Sequence, residues 1–358
     1  MKTVLVCPLD WGLGHATRCI PIIRVLIEHK FKVIIGSDDL PLELLRQEFP
    51  EIPFITLKGY NIRYPQNGSM TWKMIASIPK ILSTIIKEHK ILKKIISDYK
   101  IDIVISDNRY GLWNKKIKSI FITHQLKILS PNRNKFIEKL IQKINFFFIK
   151  KYDECWIPDF EGEENLSGLL SHDAKIKKNV YFVGPLSRFE KASENENLEF
   201  IYDFTAIISG PEPQRTIFEN LIMNQTKDSS IKGNIILGKP NENIVSKLNE
   251  NVHLFSHLKA SELQKMILQS NVIICRSGYS SIMDLCQLNK KAILVPTPGQ
   301  TEQEYLAEFL KEKKYFYTTN QKNFTIDESM NQFKNYTGIL FENYSKLIDK
   351  RIATLENI

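Results

Sequence analysis

The sequence predicts an α/β protein with two Rossmann-like domains, each built on a parallel sheet. Short apolar runs rich in Val and Ile alternate with longer helical patterns, beginning with TVLVC at 3–7 and a helical pattern over 15–29. The apolar runs are continuous rather than alternating, as in strands that are covered on both faces. The same alternation restarts at FTAIISG, residues 204–210, and 358 residues are enough for two domains.

The first domain is predicted over residues 1–187, and Pro79 is a point at which its third helix could break. Each helical stretch repeats apolar residues at spacings of three and four, whereas the strands are short apolar runs between them. The strands are expected at TVLVC (3–7), KVIIGS (32–37), FITL (54–57), IDIVISD (101–107), KSIFIT (118–123), ECWIP (154–158) and VYFVG (180–184), and the helices at 15–29, 41–49, 72–98 and 132–151.

A polar segment separates the two domains. SRFEKASENENLEF, residues 187–200, is charged and without periodicity, so residues 188–200 are predicted to be a linker. The second domain is predicted over 201–337, and a helix over 338–357 is expected to follow its sheet. Its strands are expected at FTAIISG (204–210), NIILG (234–238), VHLFS (252–256), NVIIC (271–275) and KAILVP (291–296).

The positive charge of the chain is concentrated in its first part. The net charge is +9, but residues 1–150 carry 25 Lys and Arg against 12 Asp and Glu, a net charge of +13. A basic domain favours an anionic partner such as a lipid headgroup, a nucleic acid or an acidic substrate. No nucleic-acid-binding motif and no interleaving of aromatic and basic residues is present, so we expect no nucleic-acid partner.

Cysteine usage and hydropathy predict a cytoplasmic protein. The five cysteines lie far apart and form no CxxC pair, which argues against a disulfide framework or a zinc site and favours a reducing compartment. The apolar run at 3–7 is too short for a signal peptide. No stretch approaches the roughly 20 apolar residues of a transmembrane helix.

The loop PLDWGLGH follows the first predicted strand and holds Gly12, Gly14 and His15. Ligands of parallel α/β sheets bind beyond the carboxyl ends of the strands, so this loop is a candidate site. One interpretation is a dinucleotide fingerprint, although Thr17 stands where the third glycine would be. A second is a plain strand–helix turn. A third is catalytic: the glycines let a substrate approach, and a neutral imidazole takes a proton from its hydroxyl.

A second cluster of polar residues follows the strand NVIIC in the second domain. Arg276, Ser277 and Gly278 end the strand, and the Ser280–Ser281 turn opens a helix whose N-terminus can bind a phosphate. Asp284 lies on the first turns of that helix, at a distance suited to sugar hydroxyls. The next strand leads into the Pro/Gly loop VPTPGQTEQ, where amides and carboxylates suited to binding a pyranose are concentrated: Gln300, Glu302, Gln303 and Glu304.

This stretch resembles the donor domain of glycosyltransferase family 28, the group that includes MurG. The resemblance rests on the strand, the SGYSS turn, the acidic residue and the PTPGQTEQ loop, and it is weaker in the first half of the chain. It implies a GT-B fold, in which two Rossmann-like domains face a cleft. It also implies that the second domain binds a nucleotide sugar, that the first binds the acceptor, and that a C-terminal helix, 338–358, returns to the first domain.

The resemblance assigns donor contacts residue by residue. It implies that the Ser280–Ser281 turn faces the diphosphate and that Asp284 binds the ribose. Gln303 and Glu304 stand near the family's sugar-reading pair, usually two glutamines, so Glu304 is a departure. Leu258 lies in LFSHLKASEL, which matches the loop that reads uracil. The donor-site candidates are Gly210, Arg215, Leu258, Arg276, Ser277, Gly278, Ser280, Ser281, Asp284, Gln300, Glu302, Gln303 and Glu304.

In the first domain, DWGLGH is similar to the family's glycine-rich loop at Gly14 and His15, while Asp10 and Trp11 are specific to this chain. Polar residues also follow two strands in ISDNRYG (105–111) and THQLKIL (123–129), and we expect them to line the cleft. The catalytic candidates, which would help to deprotonate the acceptor, are His15 and Asp107. The acceptor-binding candidates are Gly12, Gly14, Asn108, Arg109, His124 and Gln125.

The predicted reaction is an inverting transfer of a hexose or N-acetylhexosamine from a UDP-sugar to an acceptor hydroxyl. No D-x-D motif stands where a metal–diphosphate clamp would be expected, so we expect neither a metal nor a cofactor. Two alternatives stay open: a UDP-sugar 2-epimerase of the same fold, and a non-catalytic nucleotide-sugar-binding protein.

Two segments, 72–96 and 132–151, mix Ile, Leu and Phe with Lys. Such helices can lie on an anionic membrane, or they can pack on the sheet with their lysines in water. The charge of +13 favours the first interpretation. We therefore expect a peripheral enzyme at the inner face of the cell membrane, acting on a lipid-linked or glycolipid acceptor.

Overall fold

The structure is a computed structural model that describes residues 1–10, 12–59, 70–130, 133–173, 179–191, 199–239, 241–340 and 346–357, with the backbone alone over 70–78 and at 357. It divides into two compact units, residues 1–188 with 343–358, and residues 189–342. Each unit is built on a seven-stranded sheet, so the predicted α/β class is confirmed. Parts of the sequence predictions lie outside the described residues: Trp11, residue 132 of the predicted helix 132–151, 192–198 of the linker, and 341–345 and 358 of the C-terminal helix.

The first unit follows the predicted order of elements. The strand order is β3-β2-β1-β4-β5-β6-β7, and neighbouring strands are parallel. All five residues of the first and the fourth strand are buried, as their continuous apolar sequences predict. The elements are β1 (Thr3–Cys7), α1 (Leu13–Glu28), β2 (Lys32–Ser37), α2 (Asp39–Glu48), β3 (Phe54–Thr56), α3 (Met70–Tyr99), β4 (Ile103–Asp107), β5 (Lys118–Ile122), α4 (Lys135–Ile149), β6 (Glu154–Ile157), α5 (Leu169–His172) and β7 (Val180–Phe182).

The second unit repeats this layout. The strand order is β10-β11-β9-β8-β12-β13-β14, and the edge strand β10 is antiparallel to β11. The elements are β8 (Tyr202–Ile207), α6 (Gln214–Thr226), β9 (Gly233–Ile236), β10 (Val245–Lys247), β11 (Val252–Phe255), α7 (Ala260–Leu268), β12 (Ser270–Cys275), α8 (Tyr279–Gln287), β13 (Ala292–Leu294), α9 (Thr301–Glu312), β14 (Tyr317–Thr318), α10 (Ile326–Gln332) and a 3-10 turn (Phe333–Asn335).

α3 has nearly its predicted extent and continues through Pro79, where the sequence allowed a break. The C-terminal helix differs from its predicted form. The C-terminal helix was expected over 338–357, but Gly338 has a φ of +78° and donates its N–H to the carbonyl of Tyr315 at 2.9 Å. This left-handed backbone is not helical. The helix α11 (Leu347–Ala353) begins later, and a 3-10 turn (Thr354–Asn357) follows it.

Each sheet reverses its strand order at one place. In the first unit, the chain winds outward from β1 on one side and from β4 on the other, so the two adjacent strands form the switch point. In the second unit, the corresponding pair is β8 and β12. Loops diverge from the carboxyl ends of the two strands at such a point and leave a crevice for ligands. The carboxyl ends of the strands at these two switch points therefore position the candidate site residues.

Candidate active site

In the first unit, the loop after β1 leads into α1 through a glycine. Gly12 is the residue before the helix and has a φ of +78°, a left-handed conformation that strains other residues. A side chain there would meet no atom within 4 Å, so the backbone angle is what favours glycine. Three residues later, His15 lies in the first turn of α1 with 15% of its side chain exposed.

His15 and Asp107 meet at the switch point of the first sheet. Asp107 is the last residue of β4 and is fully buried. Its Oδ2 lies 3.0 Å from Nδ1 of His15, although 92 residues separate the two in the sequence. The sheet brings them together because β1 and β4 are neighbours whose carboxyl ends point the same way.

Arg18 is the third member of this cluster, and the sequence analysis did not identify it. It lies one turn after His15 on α1 and is 2% exposed. Its Nε donates to Oδ2 of Asp107 at 2.7 Å, and its Nη2 pairs with Oδ1. The same Nη2 lies 2.7 Å from Nδ1 of His15. The signal in the sequence was the i, i+3 spacing from His15, which places both on one helix face.

The cluster controls the charge of both titratable groups. Burial and the Arg18 guanidinium lower the pKa of His15, against the opposing effect of Asp107. Burial alone would raise the pKa of Asp107, but Arg18 and His15 outweigh it and hold that pKa below its ordinary value. Near neutral pH the site therefore holds a carboxylate and a neutral imidazole. Nδ1 of His15 faces both the Asp107 carboxylate and Nη2 of Arg18. In the tautomer whose Nδ1–H donates to Asp107, Nε2 is the proton acceptor, and this is the tautomer that a base requires.

The other acceptor-site candidates lie around this cluster, with one exception. Nδ1 of His124 lies 3.3 Å from Nη1 of Arg18, and the amide of Gln125 lies 3.4 Å from Nε2 of His124. Asn108 follows Asp107 with a φ of +55°, and the carbonyl of Gly14 accepts a hydrogen bond from the Thr17 hydroxyl at 3.0 Å.

The exception is Arg109, which is completely buried. Its guanidinium forms an ion pair with Glu88 of α3, with Nε 2.8 Å from Oε1. It also donates to the carbonyls of Pro8, Leu57 and Lys58. These contacts tie α3 to the loops that follow β1 and β3. The side chain stabilises this edge from inside, rather than lining its surface as the sequence analysis expected.

In the second unit, the loop after β12 leads into α8 at the switch point. Gly278 is the residue before the helix, and Ser280 and Ser281 lie half-buried in its first turn. The N–H groups of a first turn have no partner within the helix and favour an anion. Ser277 is buried, and its hydroxyl donates to the carbonyl of Gln303 at 2.8 Å, which joins this loop to α9.

Arg276 connects the loops of the donor-site candidates. It is 1% exposed, and Nη1 donates to the carbonyls of Val295 and Pro296 at 3.1 and 3.2 Å. Nη2 donates to the carbonyl of Gln214 at 2.9 Å and to the Gln321 side chain at 2.6 Å. Burial lowers the pKa of Arg276 to about 10. Arg276 was predicted to contact the donor. Its side chain instead forms hydrogen bonds that join the loops after β8, β12 and β13.

The loop after β13 folds on its own polar side chains. Gln303 accepts from the Thr297 N–H at 2.9 Å and donates to the side chain of Gln300 at 2.6 Å. Glu304 is exposed and accepts from the N–H of Gly299 at 2.9 Å. Glu302 is half-buried at the start of α9. The amide and carboxylate groups predicted to read the sugar thus also shape the loop.

Thr297 is a second residue that the sequence analysis missed. It is 1% exposed, and its hydroxyl has no hydrogen-bond partner among the described residues. That oxygen lies 3.7 Å from the place that a Cβ on Gly210 would occupy. Gly210, in the loop after β8, is exposed and has a φ of +114°. An unpaired buried hydroxyl is unfavourable unless something else binds it.

The remaining donor-site candidates are more dispersed. Arg215 donates to Glu212 and Glu219 at 2.7 and 2.6 Å, so a phosphate would have to compete with two carboxylates. Asp284 is half-buried on α8, and Leu258 is half-buried just before α7. Within the parts of the chain that the structure describes, no group of three or more His, Cys, Asp or Glu side chains could hold a metal ion. Over the same residues, no helix is both long and apolar enough to cross a membrane.

Comparison with known families finds glycosyltransferase domains in both parts of the chain. The model of the glycosyltransferase family 28 C-terminal domain matches residues 225–337, and the model of glycosyl transferase family 1 matches residues 7–150. The chain is a GT-B glycosyltransferase. The resemblance found in the sequence is thereby confirmed at the level of the family.

Sequence relatives and solved structures both match this chain over most of its length. A protein of Methanosarcina mazei described as an uncharacterized glycosyltransferase is 24% identical over 324 residues, which cover 85% of this chain and 82% of the relative. Among solved structures, a calicheamicin glycosyltransferase has a TM-score of 0.62 at 10% identity, with 99% and 94% of the two chains covered. MurG of Acinetobacter baumannii has a TM-score of 0.56 at 12% identity over 100% of both chains. These structural similarities show the fold alone.

Proposed function

We propose that this glycosyltransferase moves a hexose or N-acetylhexosamine from a UDP-sugar to a hydroxyl of a lipid-linked or glycolipid acceptor, with inversion at the anomeric carbon. The observation that carries the proposal is the contact between His15 and the buried Asp107 at the switch point of the first sheet. A neutral imidazole that is held by a carboxylate is suited to remove a proton from an alcohol.

The proposed step is a single displacement. The acceptor hydroxyl gives its proton to Nε2 of His15 while its oxygen forms a bond to the anomeric carbon. The bond from that carbon to the UDP oxygen breaks, and UDP leaves with the electron pair. Asp107 stabilises the imidazolium that forms, and the proton is later lost to solvent.

We propose that the leaving diphosphate is bound by protein groups without a metal or a cofactor. The N–H groups and hydroxyls of Ser280 and Ser281 open α8, where the helix dipole favours negative charge. The orphaned hydroxyl of Thr297 offers one more donor for the nucleotide sugar. Arg276 acts indirectly, because it holds the loops that carry these groups.

The proposed lipid character of the acceptor rests on α4. Its exposed apolar residues recur at spacings of three and four, and we call them the α4 stripe: Phe136, Leu140, Ile144 and Phe147, with exposures of 78%, 53%, 48% and 59%. Lys135, Lys139 and Lys143 lie beside the stripe along the same helix. An apolar stripe flanked by lysines fits the boundary between acyl chains and anionic headgroups.

α4 is also hydrogen-bonded to the loops that follow β4 and β5, where the acceptor-site candidates lie. Asn145 of α4 donates to the carbonyl of Gln125 at 2.9 Å and accepts from the hydroxyl of Tyr110 at 2.9 Å. The helix that would contact a bilayer through the α4 stripe is therefore the same helix that is hydrogen-bonded to Gln125. This arrangement favours an acceptor whose hydroxyl is presented from a membrane surface.

The experiment that tests the function combines donor binding with transfer. Purified protein is titrated with a panel of UDP- and dTDP-sugars, and UDP release is then measured with dispersed polyprenyl-phosphate sugars and diacylglycerol as acceptors. We expect one UDP-sugar to bind, and the β-product to form from an α-linked donor. Exchange of the C2 hydrogen in deuterated water would instead indicate an epimerase. Binding without turnover on any acceptor would indicate a non-catalytic protein.

A further inference from the structure

We propose that Arg18 is a positioning residue that keeps His15 uncharged and Asp107 ionised, so that the imidazole is available as a base. The inference rests on the proposed catalytic role of His15. Arg18 is then a third residue of the site, and it sets the protonation states of His15 and Asp107.

On its own, Asp107 would favour a protonated His15. A buried carboxylate 3.0 Å from an imidazole favours the imidazolium, because the charged pair is far more stable than an isolated buried anion. An imidazolium has no free electron pair and cannot accept the acceptor proton. Without Arg18, His15 would thus tend to be protonated over a wider pH range, and a smaller fraction of it would be available as a base.

Arg18 removes that tendency by neutralising the carboxylate first. Its guanidinium engages both oxygens of Asp107, through Nε at 2.7 Å and through Nη2. Such a bidentate pair is geometrically matched and always charged on the arginine side. The pair has no net charge, so it stabilises a second cation at His15 less than Asp107 alone would.

Arg18 also acts on His15 directly. Nη2 lies 2.7 Å from Nδ1, so a proton added to the imidazole would place a second positive charge in contact with the guanidinium. The titratable and charged groups that act on His15 are Arg18 on α1, Asp107 at the end of β4 and His124 after β5. Only Asp107 favours protonation. The N-terminus of α1, where His15 lies, disfavours a cation as well.

The test measures the imidazole itself in the absence of substrate. Long-range ¹H–¹⁵N NMR gives the titration midpoint of His15, assigned by loss of the signal in His15→Gln. In the native protein we expect a midpoint below the ordinary value of about 6.5. In Arg18→Gln we expect it to rise by one unit or more, which is a tenfold gain in proton affinity. The acid limb of the kcat/KM profile should move to higher pH by the same amount.

A matched control lies on the same helix. Arg24 pairs with Glu48 and donates to the carbonyl of Arg188, away from His15. Arg24→Gln should leave the midpoint unchanged. An unchanged midpoint in folded Arg18→Gln would mean that Arg18 has only a structural role.

The native protein alone can also overturn the inference. A native midpoint above 6.5 contradicts it even if Arg18→Gln does not fold. The midpoint does not depend on turnover. An absence of transfer therefore counts against the proposed function, whereas an unmoved midpoint counts against Arg18.

Discussion

At the residue scale, the candidate site depends on groups whose protonation or bonding is set by close neighbours. Burial and Arg18 outweigh Asp107 and lower the pKa of His15, which favours the neutral imidazole near neutral pH. The hydroxyl of Thr297 is buried beside Gly210 and has no hydrogen-bond partner among the residues that the structure describes. The first feature provides the proposed base, and the second provides a group that a ligand could bind. Each leads to a single-residue prediction.

Replacement of His15 should separate chemistry from donor binding. His15→Ala removes the proposed base, and a general base contributes roughly 10²- to 10⁴-fold to a rate. We expect kcat to fall by about that factor, while the affinity for the UDP-sugar, measured by calorimetry, stays within about twofold because the proposed donor contacts lie in the second unit. His253→Ala, on β11, is the control and should change neither quantity. Retention of kcat in His15→Ala would contradict the assignment.

The native rate should also depend on pH in a defined direction. Since the pKa of His15 is lowered, the imidazole is neutral and active above that value, and kcat/KM should fall as the pH drops through it. Initial rates between pH 4.5 and 8, at a donor concentration well below KM, give this profile. A rate that rises on acidification would indicate that the group acts as an acid.

Replacement of Thr297 should separate stability from affinity. Thr297→Val keeps the shape and removes an unpaired buried hydroxyl, so the free energy of unfolding should stay equal or increase. Loss of one donor hydrogen bond should weaken UDP-sugar binding by about tenfold, equivalent to roughly 1.4 kcal/mol. Urea unfolding and calorimetry measure the two effects.

Thr205→Val is the matched control for this change. Thr205 is also fully buried, but its hydroxyl is bonded to that of Ser270 at 2.7 Å. This variant should lose about 1 kcal/mol of stability and keep its donor affinity. Equal donor affinity in Thr297→Val and the native protein would place the Thr297 hydroxyl outside the donor site.

At the element scale, one face of α4 is packed against the protein and the other is exposed. Phe148 packs against the buried pair Leu9 and Ile85 and lies beside the ring of Tyr110, while the α4 stripe is exposed. Exposed phenylalanines contribute little to folding, because they remain in water in both states. Their presence on a lysine-flanked helix is better explained by a surface that covers them. The α4 stripe therefore supports the membrane prediction for the segment 132–151, and the prediction for 72–96 stays a prediction.

Changes in the α4 stripe should affect vesicle binding without unfolding the protein. Phe136→Ser with Phe147→Ser removes the two most exposed aromatic side chains of the stripe. We expect binding to phosphatidylglycerol vesicles, measured by co-sedimentation, to weaken by about tenfold or more, with an unchanged melting temperature. Ile217→Ser on α6, also exposed, is the control. Unchanged vesicle binding in the double variant would remove the argument for a lipid-linked acceptor.

At the scale of the whole molecule, the two ends of the chain meet in the first unit. The ammonium group of Lys2 donates to the carbonyls of Leu355 and Glu356 at 3.1 and 3.0 Å. At the end of α1, His29 contacts Asp349 through Nε2 at 2.9 Å and Glu356 through Nδ1 at 2.5 Å. The C-terminal turns are thus attached to the first unit through a histidine held between two carboxylates.

This attachment should weaken as the pH rises. Hydrogen bonds to Asp349 and Glu356 raise the pKa of His29, so the folded state binds a proton more tightly than the unfolded state. The stabilisation is fully present below the unfolded value of about 6.5 and is lost as the pH rises through the higher folded value. His29→Gln should lower the melting temperature by roughly 2 °C at pH 5.5 and by less at pH 9. An equal loss at both values would contradict this ionic role.

The fold was predictable to a large extent because its signals are local. Continuous apolar runs predicted the buried strands, and the restart at 204 predicted the second sheet. The C-terminal helix was placed too early because Gly338 adopts a left-handed conformation that periodicity does not reveal. Pro79, where the sequence allowed a break, lies within the continuous helix α3, which has nearly the extent predicted.

The sequence by itself determined the fold class and the strand ends at which polar residues gather, since apolar periodicity and position along a strand are properties of neighbouring residues. His15 and Asp107 were candidates on that ground, and their roles stay predictions. Only the tertiary structure decided the surroundings of the three arginines: Arg18 joins the cluster, while Arg109 and Arg276 are buried supports. The reason is physical. Burial and charge pairing depend on groups far apart in the chain, such as Arg18 and Asp107, which are 89 residues apart.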